Sequence, residues 1–246
     1  RVTAVPAKHW SGRGIGDAHC SAFNGYVLNN VYFAGDTALM DDKISQKIFD
    51  HFDIVTSIQP GGPDEGRADM ESTHQSSADA ILMHFKILAT KYKKLAQENA
   101  PLSLGEFLKE TANLKTIYNH TATFKLGNLR LKDSFYSWQR IIAVFQNNQP
   151  IEHLPAHEQA VVEGIRTIAK TMTFEEGTFS DAMIVAEISN GIVIPKIGQR
   201  QPLYVHDKRP SPHRFSARNL ITNGRALNEF DAFLKNYIQT SHDFLL

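Results

Sequence analysis

Apolar and polar residues are arranged along the first third of the chain in short runs that are typical of β-strands. Three such runs lie at Val2–Ala7, Phe23–Leu28 and Val31–Ala34. The last two are separated only by Asn29 and Asn30, residue types that tolerate the positive backbone φ angles of tight hairpin turns. We therefore expect a strand followed by a β-hairpin.

Helical spacing begins after residue 42. Lys43–Phe52 carries apolar residues at Ile44, Ile48 and Phe52, which lie on one face of a helix. The next elements are predicted from the same patterns: a strand at Asp53–Ile58, a glycine- and proline-rich loop at 59–73, a helix that Ser76 and Asp79 cap and that extends to about Leu95, a helix at Ser103–Ala112, and a strand at Lys115–Tyr118. The order β, ββ, α, β, α, α, β predicts an α/β fold in which helices cover a sheet.

The pattern changes after Asp133, so we expect residues 1–133 and 134–246 to form separate parts, the second an α+β extension of unknown role. Its predicted elements are helices at Phe135–Gln146 and His157–Thr171, a hairpin of Met183–Ile188 and Gly191–Ile197 around Asn190-Gly191, a basic loop at Gly198–Asn219, and an amphipathic helix at Arg225–Tyr237.

Composition excludes several classes of protein. The chain has 246 residues, 42% of them hydrophobic and 21% charged, with a formal net charge of zero, which gives no electrostatic reason to expect a nucleic-acid partner. No apolar run approaches the roughly 18 residues of a transmembrane helix. Cys20 is the single cysteine, so no internal disulfide forms and a reducing, cytoplasmic location is the expectation.

Three potential metal ligands follow predicted strands. His9 comes after the first strand, Asp36 after the run that ends at Gly35, and His120 after the strand Lys115–Tyr118. Ligands at neighbouring strand ends can converge on one edge of a sheet, and histidine with carboxylate suits zinc and similar ions. Each residue also has an ordinary interpretation, as a surface histidine or as an aspartate in a turn.

Four segments in sequence order carry a resemblance to a known family. They are Val5–Arg13 (VPAKHWSGR), Tyr32–Thr37 (YFAGDT), His74–Ala80 (HQSSADA) and His120–Phe124 (HTATF). Together they resemble the C-terminal half of the metallo-β-lactamase-fold hydrolases, specifically the branch of N-acylphosphatidylethanolamine phospholipase D. The resemblance implies the C-terminal half of an αββα sandwich over residues 1–133.

The resemblance also implies roles for individual residues. His9 would bind one divalent metal ion, expected to be zinc, and His120 a second, while Asp36 would bridge both ions at the catalytic centre. Gly35 would let the backbone turn so that Asp36 reaches the ions. His74 would line the site and contact the substrate, and Gln59 would begin a loop that shapes the pocket or is an ordinary turn.

The chain departs from the family pattern in one major respect. The family's histidine-rich stretch, His-x-His-x-Asp-His, supplies four ligands and has no counterpart in this sequence. Because the chain begins inside a predicted strand, we expect it to be a fragment, with the N-terminal half of the same fold supplied by missing residues or by a separate chain. The residues after His120 also depart, since Thr121 and Ala122 stand where the family has tryptophan and glycine.

The sequence thus favours a phospholipase D-like metallo-hydrolase of a phosphodiester, a lipid-like small molecule or a related ester, active once the other half is present. The alternative belongs to a different class: a metal-free binding or scaffold protein built on a degenerate or truncated hydrolase half.

Overall fold

The computed structural model describes residues 1–9, 23–60, 75–98, 101–119 and 133–193. Within these ranges the chain is an α/β protein, as the order of predicted elements indicated. Its strands are β1 (Val2–Pro6), β2 (Asn24–Leu28), β3 (Val31–Phe33), β4 (Thr56–Pro60), β5 (Lys115–Asn119), β6 (Thr173–Phe174), β7 (Gly177–Thr178) and β8 (Ile192–Val193). Its helices are α1 (Asp42–His51), α2 (Ser77–Glu98), α3 (Leu104–Thr111), α4 (Asp133–Asn147), α5 (Ala156–Thr171) and α6 (Asp181–Gly191), with a 3₁₀ turn at Ile151–His153.

Six strands form one mixed sheet in the order β1-β2-β3-β4-β5-β8. The pairs β1–β2 and β2–β3 are antiparallel, whereas β3–β4, β4–β5 and β5–β8 are parallel. Strands β1, β3, β4, β5 and β8 therefore run in one direction, and their C-terminal ends share one edge of the sheet. Strands β6 and β7 form a separate two-stranded hairpin.

Local sequence patterns predicted the positions of most helices and strands. Asn29 takes a φ of 53° in the turn between β2 and β3, as predicted for the hairpin. Before α2, the Asp79 backbone N–H donates to Ser76 Oγ and the Ser76 N–H donates to Asp79 Oδ2, at 3.1 and 3.0 Å, which confirms the predicted capping box. Strand β4 lies two to three residues later than predicted, so Gln59 belongs to a strand and not to a loop.

The predicted hairpin of Met183–Ile188 and Gly191–Ile197 is wrong. Asp181–Gly191 is helix α6 and Ile192–Val193 is strand β8, while residues 194–197 lie outside the described residues. Ile184 and Ile188 are buried four residues apart, which is helical spacing. Asn-Gly favours tight hairpin turns, but these residue types also end helices, and here they close α6.

The described helices pack on one face of the sheet. Residues on that face are buried, among them Val5, Val27 and Tyr32, and T-shaped stacking of Tyr32 on Phe49 joins β3 to α1 at a centroid distance of 5.7 Å. Helix α2 lies centrally, with eleven of its residues buried, and it packs against β4, β5 and four other helices. The core of the protein is therefore the layer between this face and the helices.

The other face of the sheet is apolar and exposed. Large hydrophobic residues on it remain open to solvent, at 62% for Val2, 43% for Tyr26, 51% for Leu28, 45% for Phe33 and 37% for Val193. Monomeric proteins rarely leave so broad an apolar surface uncovered. Within the described residues, the sheet is thus covered on one side only.

Residues beyond the predicted division at 133 take part in the same layer. Arg1–Ile197 forms one compact unit, α4 and α5 pack on α2, and β8 extends the main sheet beside β5. The predicted loop Gly198–Asn219 and helix Arg225–Tyr237 lie outside the described residues. The described part contains no helix with the length and apolar content that crossing a membrane requires.

Candidate functional site

Two of the predicted ligands lie together at the C-terminal edge of the sheet. His9 follows β1 by three residues and Asp36 follows β3 by three residues. These strands run in the same direction on either side of β2, so both chain segments leave the sheet at the same edge. The two strand ends bring His9 and Asp36 close together, as expected, and their role as metal ligands stays a prediction.

The two segments are joined directly beside His9 and Asp36. The backbone N–H of Lys8 donates to Thr37 Oγ1 at 2.8 Å, and the backbone N–H of Ala38 donates to the Lys8 carbonyl at 2.7 Å. Thr37 is fully buried, and its hydroxyl donates to the carbonyl of Ala38 at 2.9 Å. The residues next to His9 and Asp36 in the sequence therefore hold the two segments in register.

Gly35 gives the turn that leads to Asp36. Its φ is +69°, in the left-handed region that side-chain-bearing residues rarely adopt. A Cβ at this position would lie 3.1 Å from the Asn24 carbonyl oxygen on the neighbouring strand. Backbone conformation and close packing thus both require glycine before Asp36.

The side chains of His9 and Asp36 approach each other closely. His9 Nε2 lies 3.4 Å from Asp36 Oδ2, with the histidine side chain 13% exposed and the aspartate side chain 59% exposed. The His9 ring also packs on Phe23, with the ring centroids 4.5 Å apart. The histidine is consequently held in a sheltered position, while the carboxylate remains accessible to a ligand.

The donor separation is compatible with a shared metal ion. Zinc binds histidine nitrogen and carboxylate oxygen at about 2.0–2.2 Å with tetrahedral angles, so two donors to one ion lie roughly 3.3–3.5 Å apart. The 3.4 Å between His9 Nε2 and Asp36 Oδ2 falls in that range. Within the described ranges, no group of three or more histidine, cysteine or acidic residues gathers as a metal site.

The remaining predicted site residues have different outcomes. His74 and His120 lie outside the described residues, so their roles stay predictions. Gln59 is described and fully buried, on the face of β4 that the helices cover. The residue before it, Ile58, accepts a hydrogen bond through its carbonyl from the Ala34 N–H at 3.0 Å. Gln59 therefore lies near the start of the turn at Gly35.

A buried chain of polar side chains, which sequence reasoning missed, runs from α6 through α2 to β5 and β4. The Glu187 carboxylate on α6 contacts His84 Nε2 at 3.3 Å, and His84 Nδ1 contacts Thr116 Oγ1 at 2.7 Å. Thr116 in turn contacts Ser57 Oγ at 2.8 Å. Because the partners are up to 103 residues apart, no local pattern could have revealed this chain.

Two further groups carry unusual electrostatics. Burial raises the pKa of the Asp79 carboxyl from 3.8, while hydrogen bonds from Ser76 act in the opposite direction. Burial also raises the pKa of the Tyr32 phenol. Neither group is exposed, so these shifts describe the core and not an open catalytic pocket.

No protein-family model and no curated protein sequence matches the chain.

Proposed function

We propose that the chain supplies half of a metal-dependent hydrolase that acts on a phosphodiester, lipid-like or otherwise, or on a related ester. The approach of His9 Nε2 to Asp36 Oδ2, at 3.4 Å on the C-terminal edge of the sheet, carries the proposal. His120 would join them, because it follows β5, whose C-terminal end lies on the same edge.

In this proposal the chain's residues bind and orient. His9 would hold one divalent ion through Nε2, and the two oxygens of the Asp36 carboxylate would contact both ions. When bound, two such ions, expected to be zinc, supply a hydroxide nucleophile and stabilise the negative charge that develops on the substrate. Thr37 and Gly35 would keep Asp36 in place during the reaction.

The open face of the sheet supports the presence of a second half. In β4 and β5 the polar residues Ser57 and Thr116 face the helices, while Ile58 and Ile117, which are partly buried, lie on the opposite face. A sheet that is apolar on its open face as well is typical of sheets covered on both sides. A second sheet, packed about 10 Å away as in β-sandwiches, would bury this face.

That second sheet would belong to the N-terminal half that the resemblance implies. The family's His-x-His-x-Asp-His stretch lies on that half and supplies four ligands, which the two ions need in addition to those from this chain. Two or three ligands from this chain alone would leave both coordination shells incomplete, so we expect weak metal binding before the halves combine.

A metal-free scaffold is the second candidate, and the same open apolar face favours it, because a docking surface needs no metal. The two candidates differ in metal content. We expect about two zinc or iron atoms per assembly, by elemental analysis, when this chain is co-expressed with an N-terminal half that carries the histidine-rich stretch. An assembly that forms without metal would refute the hydrolase and leave the scaffold.

The matched variants are Asp36→Ala and Asp53→Ala. Asp53 is an exposed carboxylate that pairs with Lys91 on the surface, so its removal tests only the loss of a charge. We expect Asp36→Ala to lower the metal content and abolish hydrolysis of bis(4-nitrophenyl) phosphate, with an unchanged circular dichroism spectrum. Retained turnover in the Asp36 variant would exclude its bridging role.

A further inference from the structure

The segments that carry His9 and Asp36 converge beyond the ends of their strands. Strands β1 and β3 both pair with β2, so their backbones lie two strand spacings, about 9–10 Å, apart. Two residues after β1 and five residues after β3, the backbone N–H of Ala38 donates to the Lys8 carbonyl at 2.7 Å, which is a contact between directly neighbouring chains. The two segments therefore approach each other by about 5 Å once they have left the sheet.

The start of β2 leaves room for this approach. Asn24 is the first residue of β2, and it pairs with Pro6, the last residue of β1. A Cβ on Gly35 would lie 3.1 Å from the Asn24 carbonyl oxygen, so the chain after β3 passes close to the start of β2. The φ of +69° at Gly35 turns the chain at this point. The segment after β3 thus reaches the segment after β1 across the end of β2, and it does so at Thr37 and Ala38.

Thr37 joins the two segments through its side chain. Its hydroxyl accepts from the Lys8 N–H at 2.8 Å and donates to the Ala38 carbonyl at 2.9 Å, and the Lys8 carbonyl is also within reach at 3.3 Å. A hydroxyl can accept and donate at the same time, as this position requires. Thr37 is fully buried and its β-branched side chain has few rotamers, so its oxygen has a fixed position. Both polar groups of the Lys8 backbone are therefore bonded to residues 37 and 38.

The bond between Lys8 and Thr37 acts on both residues of the pair, because Lys8 immediately precedes His9 and Thr37 immediately follows Asp36. We propose that Thr37 is a positioning residue for His9 and Asp36. Its hydroxyl fixes the backbone before His9 and so sets the distance of 3.4 Å between His9 Nε2 and Asp36 Oδ2. The interpretation of that distance as the spacing of two metal ligands rests on the proposed hydrolase function. The positioning itself does not, and it is measurable without metal.

Three variants separate this role from a general effect on the core. Thr37→Val removes the hydroxyl and keeps the shape of the side chain, whereas Thr37→Ser keeps the hydroxyl. The control is Thr111→Val, because Thr111 is also buried and its hydroxyl donates to the Phe107 carbonyl at 2.8 Å within α3. Thr111→Val thus removes a buried hydroxyl from a helix to which neither segment belongs. Circular dichroism verifies that each variant is folded.

The first measurement uses the full chain without metal. We expect the Lys8 and Ala38 amide protons to exchange with solvent about 10–100-fold faster in Thr37→Val, because the Lys8 N–H loses its acceptor and the segments separate more easily. Nuclear Overhauser effects between the His9 ring protons and the Asp36 β protons should weaken in the same variant. Thr37→Ser and Thr111→Val should behave like the wild type. Unchanged exchange or an unchanged Overhauser effect in Thr37→Val would overturn the proposal, and so would a wild-type Lys8 amide that exchanges like that of an unfolded peptide.

The second measurement is a titration of the full chain with Co²⁺, a coloured substitute for zinc, followed by visible absorption. We expect Thr37→Val to raise the Kd for Co²⁺ by about 10–100-fold, as substitutions beside metal ligands do, while Thr37→Ser and Thr111→Val keep the wild-type value. An unchanged Kd in Thr37→Val would overturn the positioning role. If the wild-type chain bound no Co²⁺ even with the N-terminal half present, the hydrolase proposal would fail, and the exchange and Overhauser measurements would decide the role of Thr37.

Discussion

Substituting Gly191 by alanine tests whether the buried chain from Glu187 to Ser57 stabilises the fold. A Cβ at Gly191 would lie 2.7 Å from His84 Nε2 and 3.0 Å from Glu187 Oε2. The His84 ring cannot move aside cheaply, because it is fully buried and hydrogen-bonded through both nitrogens. Alanine must therefore displace the ring from Glu187 or from Thr116.

The size of the stability loss follows from two unfavourable contributions and one favourable one. Overpacking a filled site costs about 1–3 kcal/mol, and the weakened contact to a charged carboxylate costs about 1.5–3 kcal/mol. Alanine regains at most about 1 kcal/mol over glycine within a helix. We expect a net loss of about 1.5–6 kcal/mol of unfolding free energy, measured by urea denaturation, and a lower melting temperature.

Gly105 provides the matched control. It also lies in a helix, α3, but a Cβ there would meet nothing within 4 Å. Gly105→Ala should therefore stabilise the protein by up to about 1 kcal/mol. If Gly191→Ala proved as stable as Gly105→Ala, the reasoning about the rigid His84 would be refuted.

Three further predictions concern charge and exposure. The pKa of Asp79 is raised in the folded state, so the free energy of unfolding should fall as pH rises from 3.8 through the folded pKa. Urea titrations at a series of pH values should show a weaker pH dependence of this free energy in Asp79→Asn. Arg140→Met leaves the fully buried Glu158 without its 2.9 Å Nε contact and should cost about 3–5 kcal/mol by denaturation, whereas an unchanged midpoint would disprove that dependence. Leu28→Lys on the open face should change stability by less than about 0.5 kcal/mol, whereas Val27→Lys, one residue away and 1% exposed, should prevent folding as judged by circular dichroism.

Local signals explain why most elements could be predicted. The capping box of Ser76 and Asp79 and the positive φ of Asn29 each depend on residues within four positions of one another. Such interactions form wherever the chain goes afterwards, so the sequence pattern is sufficient to locate them. The failed hairpin at Asn190-Gly191 shows the limit, because residue types that suit a hairpin turn also suit a helix end.

The candidate site was predictable to a smaller extent. Strand ends and the Gly35-Asp36 motif located His9 and Asp36, which the structure brings within 3.4 Å. The contact that joins their segments, from Lys8 N–H to Thr37 Oγ1, spans 29 positions and could not be read from either segment alone. Long-range contacts depend on which strands become neighbours, and that order follows from packing of the whole sheet.

The two faces of the sheet show why burial could not be read from alternation in β4 and β5. Alternation alone would put Ile58 and Ile117 under the helices and leave Ser57 and Thr116 outside. The structure has the opposite arrangement, since Ser57 and Thr116 are fully buried and hydrogen-bonded to each other. The buried hydroxyls are satisfied by the chain that ends at Glu187, so the helix-covered face tolerates them. Ile58 and Ile117, on the opposite face, are only partly buried, so in these two strands the polar residues lie deeper than the apolar ones.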